Sequence, residues 1–359
     1  MDTVELAKKR KISGPVLVTG HTGFKGAWLT EILQALSLEI VGYSLEPLPD
    51  SLYTKLEHRG KFREEFEDIR DLDKLTKFVS DTRPEVIFHL AAQPLVLESY
   101  SQPVSTFSTN VMGTVNILHA AFACDSVKAV VVVTTDKVYE NKEQIVRFIE
   151  NNPLGGKDPY SASKVGAEQA VIAWRQIQSI SGGPRIIAVR SGNVIGGGDI
   201  SANRLLPDLI RAFQAKTTVE IRNSLSTRPW QHVVDPLAGY LLAAEALLAG
   251  NDLPALNFSG IQHSESVINV VEAAICSWGG NARNLVTIRA NQDTGAETKT
   301  LDLDSTKARN LLGWRSQFTQ IQAVEKTIEW HKKVDNGILT PGEACEEDLR
   351  SWIKQLRNV

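Results

Sequence analysis

Three cysteines in 359 residues, Cys124, Cys276 and Cys345, are too few and too scattered for a disulfide scaffold, and none has metal-ligand spacing. A reduced, cytoplasmic setting without a metal is the expectation. Charge of one sign is lacking as well: 39 basic residues stand against 42 acidic ones, with no acidic or basic half. Nucleic acid and membrane surfaces are therefore not expected partners. The one basic run, KKRK at 8–11, precedes the first strand-like segment and reads as a solvated tail. No apolar stretch approaches a membrane span, and no basic-then-apolar leader is visible. Repeats and low-complexity segments are missing too. What remains is a globular chain long enough for one large domain or two modest ones.

Short apolar runs alternate with helical patterns through the first half of the chain. PVLVTG at 15–20, LEIVGYSL at 38–45, KFREEF at 61–66, EVIFHLA at 85–91, VKAVVVVTT at 127–135 and PRIIAVR at 184–190 read as strands. Helices are expected over 24–36, 71–80, 104–124 and 160–178. This alternation predicts an α/β fold with a doubly wound parallel sheet of the Rossmann type. The pattern breaks at 192–208, a helix over 233–250 returns to the sheet, and 259–359 mixes loops, short strands and amphipathic helices. A dinucleotide-binding domain of residues 13–192 plus 231–258 is expected, with a smaller α/β substrate domain of 193–230 plus 259–359.

TGHTGFKG spaces Gly20, Gly23 and Gly26 three apart, directly after a strand and opening a helix. Such glycines permit a tight turn and close approach to a pyrophosphate, which the helix N-terminus stabilises. Thr22, Phe24 and Lys25 complete the loop. Glu46, near the end of the second strand, is a candidate acceptor for the adenosine ribose, and no Lys or Arg lies between Leu38 and Ser51, which favours NAD over NADP. Asp68 with Ile69, and Leu90, Ala91, Ala92 and Gln93, follow the third and fourth strands and complete the cofactor set. The ordinary alternatives are a helix-capping Asp68, a surface Glu46 and alanines that merely pack.

Two sets of acid/base groups lie downstream, where a simple dehydrogenase needs one. Tyr160 and Lys164 are spaced i, i+4, so on a helix they share a face and the ammonium can stabilise a phenolate. Thr135, Asp136 and Lys137 end the apolar run AVVVVTT, where open α/β sheets place their ligands. Such a site could run redox and elimination chemistry together.

TGHTGFKG, HLAAQ at 89–93, TTDKVYEN at 134–141, YSASK at 160–164, RSGNVIGGGD at 190–199 and RPWQHV at 228–233 together resemble the extended short-chain dehydrogenase/reductase family. More narrowly they resemble its CDP-glucose 4,6-dehydratases, from about residue 15 to the LDLDSTKARNLLGW segment at 301–314. The resemblance implies that Thr135 orients a sugar 4-hydroxyl and Tyr160 removes its proton. Lys164 would hold the nicotinamide ribose and lower the Tyr160 pKa, Asp136 would protonate the departing 6-hydroxyl, and Lys137 would take the C5 proton or assist that step. Asn193 and Arg228 match positions that hold a sugar nucleotide's pyrophosphate, with Arg204 nearby, since a guanidinium binds phosphate oxygens bidentately. Gln93, Arg222 and His232 join the substrate-binding set, while Trp230, Glu265 and Glu297 are pocket candidates that serve equally well as structural residues. NAD, regenerated each turnover, is expected to stay bound. A homodimer or homotetramer is implied, through the helices at 104–124 and 160–178.

The chain departs from that family in two places. EQIVRFIE at 143–150 stands where the family shows a run resembling EWVWGYRE, leaving Phe148 and Glu150 alone alike in kind, and Ile200 replaces the usual tryptophan after GGGD. A sugar-nucleotide 4-epimerase would use the same Tyr, Lys and NAD without Asp136 and Lys137. A non-catalytic dinucleotide sensor would need none of the acid/base groups.

Overall fold

In a computed structural model of the chain, residues 11–142, 147–221, 223–260, 264–289 and 301–356 are described. The six strand-like runs become β1 (Val16–Thr19), β2 (Ile40–Ser44), β3 (Arg63–Phe66), β4 (Val86–His89), β5 (Ala129–Val133) and β6 (Arg185–Ser191), and a seventh strand not read from the sequence, β7 (Ala255–Phe258), follows. They form one parallel seven-stranded sheet in the order β7-β6-β5-β4-β1-β2-β3. The crevice between β1 and β4, where the chain reverses direction across the sheet, is where such folds place ligands.

Residues of β1 and β5 are buried without exception, as a strand covered on both faces requires. Period-two alternation divides them between two cores. Val16, Val18, Val131 and Val133 pack with α1 (Phe24–Ala35) and with α6 (Val234–Leu248), while Leu17, Val130 and Val132 face α2 (Leu72–Thr82), α3 (Gly113–Phe122) and α4 (Pro159–Ser181). A third core joins Leu209 and Phe213 of α5 (Leu205–Ala215), Val270 and Ala274 of α7 (Val267–Trp278), and Val324 and Ile328 of α8 (Gln320–Asp335). The last helix, α9 (Pro341–Leu356), packs on α8 and α1.

One expected element needs correction. The helix anticipated over 104–124 is three pieces, Pro103–Phe107, a π-helical turn Ser108–Met112, and α3. Buried Asn110 sits in the π turn, bonded outside its own helix, and that bonding holds the wider turn open.

Helices from the two ends of the chain grip the glycine-rich loop at 196–199. Trp28 of α1 donates Nε1–H to the Gly197 carbonyl (2.9 Å), and His331 of α8 accepts the Gly198 N–H at Nε2 (3.3 Å). Burial, with Lys55 adding to it, pushes the His331 pKa from 6.5 down to about 3. Below pH 6.5 the unfolded chain therefore binds a proton that the fold excludes, so the contribution is full above 6.5 and is lost as pH falls towards 3. His331→Gln keeps an acceptor without that proton. Between about pH 7 and pH 4 the parent should lose stability to urea faster than the variant, by up to one proton's worth or about 1.4 kcal/mol per pH unit. Parallel urea midpoints for the two across that range would refute the assignment.

Candidate active site

The loop after β1 is shaped to receive a phosphate group. Gly20 takes φ +73°, and a Cβ there would lie 2.7 Å from the Ala91 backbone nitrogen; one on Gly26 would lie 2.1 Å from the Gly20 carbonyl oxygen. Among the described residues, the N-terminus of α1 has neither a side-chain cap nor an acid in its first turn. Its amide groups thus face an anion site formed by backbone alone, which suits a dinucleotide pyrophosphate. Thr22 bonds Ser44 (2.7 Å) and the Leu45 carbonyl (3.1 Å), tying this loop to the end of β2. Phe24 lines its far side, close to Gly196.

Thr135 links the two sets of acid/base groups. Its hydroxyl donates to Asp136 Oδ1 (2.8 Å), and Thr135 is also the first group to pull the Tyr160 phenol's pKa down. Both partners are buried, and the Asp136 Oδ2 atom meets no hydrogen-bond partner among the described residues. Burial raises the Asp136 pKa, against the opposing pull of Lys137, Thr135 and Arg228. An acid so held keeps its proton at higher pH and is suited to donate it. Lys137 follows in the same short turn, its backbone N–H capped by Thr135 (3.3 Å).

Tyr160 and Lys164 lie in the first turns of α4, which opens on an Asp158–Ser161 capping box with Pro159 at its start. Burial pushes the Tyr160 phenol up to about 12, and the groups that pull it down are Thr135 and Arg204. Lys164 donates to the Val133 carbonyl (3.1 Å), and burial takes its own pKa to about 8. Lys25 joins this cationic ground, pushed down to about 7 by burial first and then by Lys164 and Arg204, with Asp136 opposing.

Other candidates fall into place or out of it. Arg204 pairs with Asp199 at 3.7 Å. The strand Asn193–Ile195 runs parallel to Trp230–His232, with Asn193 opposite Trp230, while buried Arg228 lies on the preceding short strand Thr227–Arg228, paired with Glu265–Ser266. Leu90, Ala91 and Ala92 follow β4 against the glycine loop, and Ile69 packs under Gly113. Asp68 is chelated by Arg70, which holds its carboxyl below the usual range. The helix cap is Asp71 instead. Glu46 is exposed and pairs with Arg59, a cation brought in from beyond the loop, while buried Ser44 ends β2.

Two substrate-binding expectations are corrected. Gln93 spends its amide on its own loop, donating to the Leu95 carbonyl (3.1 Å) and to Thr106 (2.9 Å). His232 is fully buried, edge-on to Trp28 and Phe318, with Nε2 3.4 Å from Asp348; it packs α9 onto the fold. Trp230 belongs to the third core, and Glu265 accepts from Asn269 (2.8 Å). Arg222 and Glu297 lie outside the described residues.

Two groups were not singled out in the sequence. Asn110 clamps the backbone of Gln93 from both sides (2.8 and 3.1 Å) and reaches Ser163 of α4 (2.9 Å), joining the cofactor loop to the helix of Tyr160. Lys157 shares a cavity with Lys137, Asn141 and Arg228, so a cation adjoins the pyrophosphate candidates from the loop that leads into α4.

The GDP-mannose 4,6 dehydratase family matches residues 17–327. The chain is 39% identical to the CDP-glucose 4,6-dehydratase of Salmonella typhimurium over 88% of its own length and 90% of that protein's. It is 26% identical to the UDP-glucose 4-epimerase of Lacticaseibacillus casei, over 90% of this chain and 98% of the relative. In fold it is similar to the crystal structure of a dTDP-glucose 4,6-dehydratase from Streptomyces venezuelae with NAD bound, at TM-score 0.77 and 22% identity, covering 91% of this chain and 99% of that one. With the family match spanning most of its length, the chain belongs to the GDP-mannose 4,6 dehydratase family.

Proposed function

We propose that the protein dehydrates a nucleoside-diphosphate hexose, converting CDP-D-glucose to CDP-4-dehydro-6-deoxy-D-glucose with NAD as its resident cofactor. The observation that carries this reading is the grouping of Tyr160, Thr135 and Asp136, a base for oxidation beside a hydroxyl that is bonded to a buried acid for elimination. The 39% identity to a CDP-glucose 4,6-dehydratase supports the choice of nucleotide and sugar.

When bound, NAD would supply reversible hydride transfer, at sugar C4 first and at C6 last. Gly20, Gly23 and Gly26 with the N-terminus of α1 would hold its pyrophosphate, and Lys164 its nicotinamide ribose. Thr135 orients the 4-hydroxyl and Tyr160 accepts its proton, with Arg204 favouring the phenolate. The resulting 4-ketone acidifies C5–H, and Lys137 takes that proton. Asp136 gives its own proton to the 6-hydroxyl, which leaves as water, and Lys137 gives its proton back to C5 as C6 is reduced. A 4-epimerase acts at C4 alone and has no use for an acid with a raised pKa beside the tyrosine.

Residues 13–192 plus 231–258 serve as the cofactor domain and 193–230 plus 259–359 as the substrate domain, a division supported by the separate third core. Cys124 and Cys345 are buried, Cys276 is exposed, and all three are free, which accords with a reducing cytoplasm. Among the described residues no helix is long and apolar enough to cross a membrane. Val104 and Phe107 of the helix Pro103–Phe107, and Ile172 and Ile180 along α4, are exposed apolar side chains that a second copy of the chain would cover in a homodimer or homotetramer.

Incubation with CDP-glucose, dTDP-glucose, UDP-glucose and GDP-mannose should yield a dehydrated 4-keto sugar from CDP-glucose in preference, identified by mass and NMR. Turnover of another sugar alone would overturn the nucleotide assignment. Asp136→Asn should keep C4 oxidation, seen as reduced-cofactor absorbance, while water loss falls about a hundredfold or more. An unimpaired Asn variant would favour the epimerase. Val104→Glu with Ile180→Glu should lower the assembly's mass in sedimentation, and an unchanged mass would remove these side chains from the interface.

A further inference from the structure

The proposed chemistry leaves one buried ion pair unused. Glu168 of α4 and Arg190 of β6 are both nearly inaccessible, with side-chain exposures of 3% and 4%. Arg190 grips the carboxylate with two N–H groups, Nε to Oε1 and Nη2 to Oε2, each at 2.8 Å. Replacing such a pair by apolar side chains generally costs little or even stabilises, so its presence calls for a purpose other than stability.

The remaining bonds indicate that purpose. Thr134 donates its hydroxyl to Glu168 Oε1 (2.6 Å). Arg190 Nη1 donates to the Tyr139 hydroxyl (2.8 Å) and to the Glu150 carbonyl (3.2 Å), and its guanidinium lies 5.0 Å from the Tyr139 ring centre. Tyr139 in turn donates to Asn257 on β7 (2.7 Å) and stacks on Phe148, with ring centres 4.9 Å apart. Thr134 and Tyr139 bracket Thr135, Asp136, Lys137 and Val138. The ion pair therefore pins the acid-bearing turn at both ends, and Glu168 lies one helical turn beyond Lys164 on the helix that carries Tyr160.

We propose that the Glu168–Arg190 pair positions the Asp136–Lys137 turn against Tyr160 and Lys164, so that water elimination depends on it more than C4 oxidation does. This rests on the dehydratase reading above. Glu168 and Arg190 are positioning residues, acting through Thr134 and Tyr139. Tyr160 rides on α4 itself, whereas Asp136 and Lys137 reach their places through the pinned turn; loosening it moves the elimination groups first. A displacement near 1 Å of a reacting group costs about a hundredfold in rate.

Tyr139→Phe removes one hydroxyl and keeps the ring stacked on Phe148, so it tests the pin with the fold preserved. The paired replacement Glu168→Leu with Arg190→Met leaves no buried charge uncompensated, unlike Glu168→Gln alone. In stopped flow with CDP-glucose, each variant should form reduced cofactor within about twofold of the parent rate, while quenched samples show water loss slowed about ten- to a hundredfold. Amide hydrogen exchange of the holoenzyme should quicken across 134–139 and stay unchanged across 160–168. Equal slowing of both half-reactions, or unaltered elimination in both variants, would overturn the proposal. A parent that neither oxidises nor dehydrates CDP-glucose would defeat the dehydratase reading instead, and unchanged exchange across 134–139 would then still overturn the pin.

Discussion

Thr135 has a single hydroxyl, and that hydroxyl bonds the Asp136 carboxyl while Thr135 also lowers the pKa of the Tyr160 phenol. A side chain this short can serve two groups only where the end of β5, the start of α4 and the short turn after Thr135 converge. The sheet provides that convergence. β5 lies between β4 and β6 in full parallel register, so its carboxyl end is fixed on both sides, and its all-apolar strand leaves Thr134 and Thr135 as the first residues able to hydrogen-bond sideways. If β5 shifted by one residue, its side chains would change faces and Thr135 would point away from Tyr160.

Desolvation then determines what the groups do. The same burial that raises the Asp136 acid and the Tyr160 phenol lowers the Lys25 and Lys164 ammonium groups to about 7 and 8. Charged forms of either sign are disfavoured there, and each residue's neighbours decide how far it yields. Asp136 faces cations that oppose the shift, whereas Lys25 faces two that add to it. Arg204, distant in sequence, acts on Tyr160 alongside Thr135, against the burial that raises the phenol.

What was legible in the sequence was local or periodic. The glycine loop, the buried strands and the Tyr160 and Lys164 spacing each follow from a short stretch of chain, and each takes its expected place in the sheet. What escaped depends on partners far along the chain. The π turn at Ser108–Met112 exists because Asn110 bonds Gln93 and Ser163, and no window on the helix contains those partners. His232 belongs to a motif-bearing run, yet packing against Trp28 and Phe318 claims it for the core. Glu46 suited a ribose acceptor by spacing, and a cation thirteen residues on holds it at the surface. Phe148 and Glu150, the residues of the altered 143–150 segment that keep their kind, both touch Tyr139, Arg190 or Asn257.

Arg204 in turn depends on the last part of the chain. Its partner Asp199 closes the Gly196–Asp199 loop, which Trp28 holds from α1 and His331 from α8. Asp235 anchors that C-terminal layer, accepting from Ser316, from the Gln317 backbone and from Trp352 at 2.7–2.9 Å, while its own carbonyl takes the Trp314 indole. Each bond contributes about 1 kcal/mol, and burial would make any one left open cost more than that. The C-terminal helices thus bear on chemistry they never touch: they fix a loop, the loop fixes an aspartate, and the aspartate sets where the guanidinium acts on Tyr160.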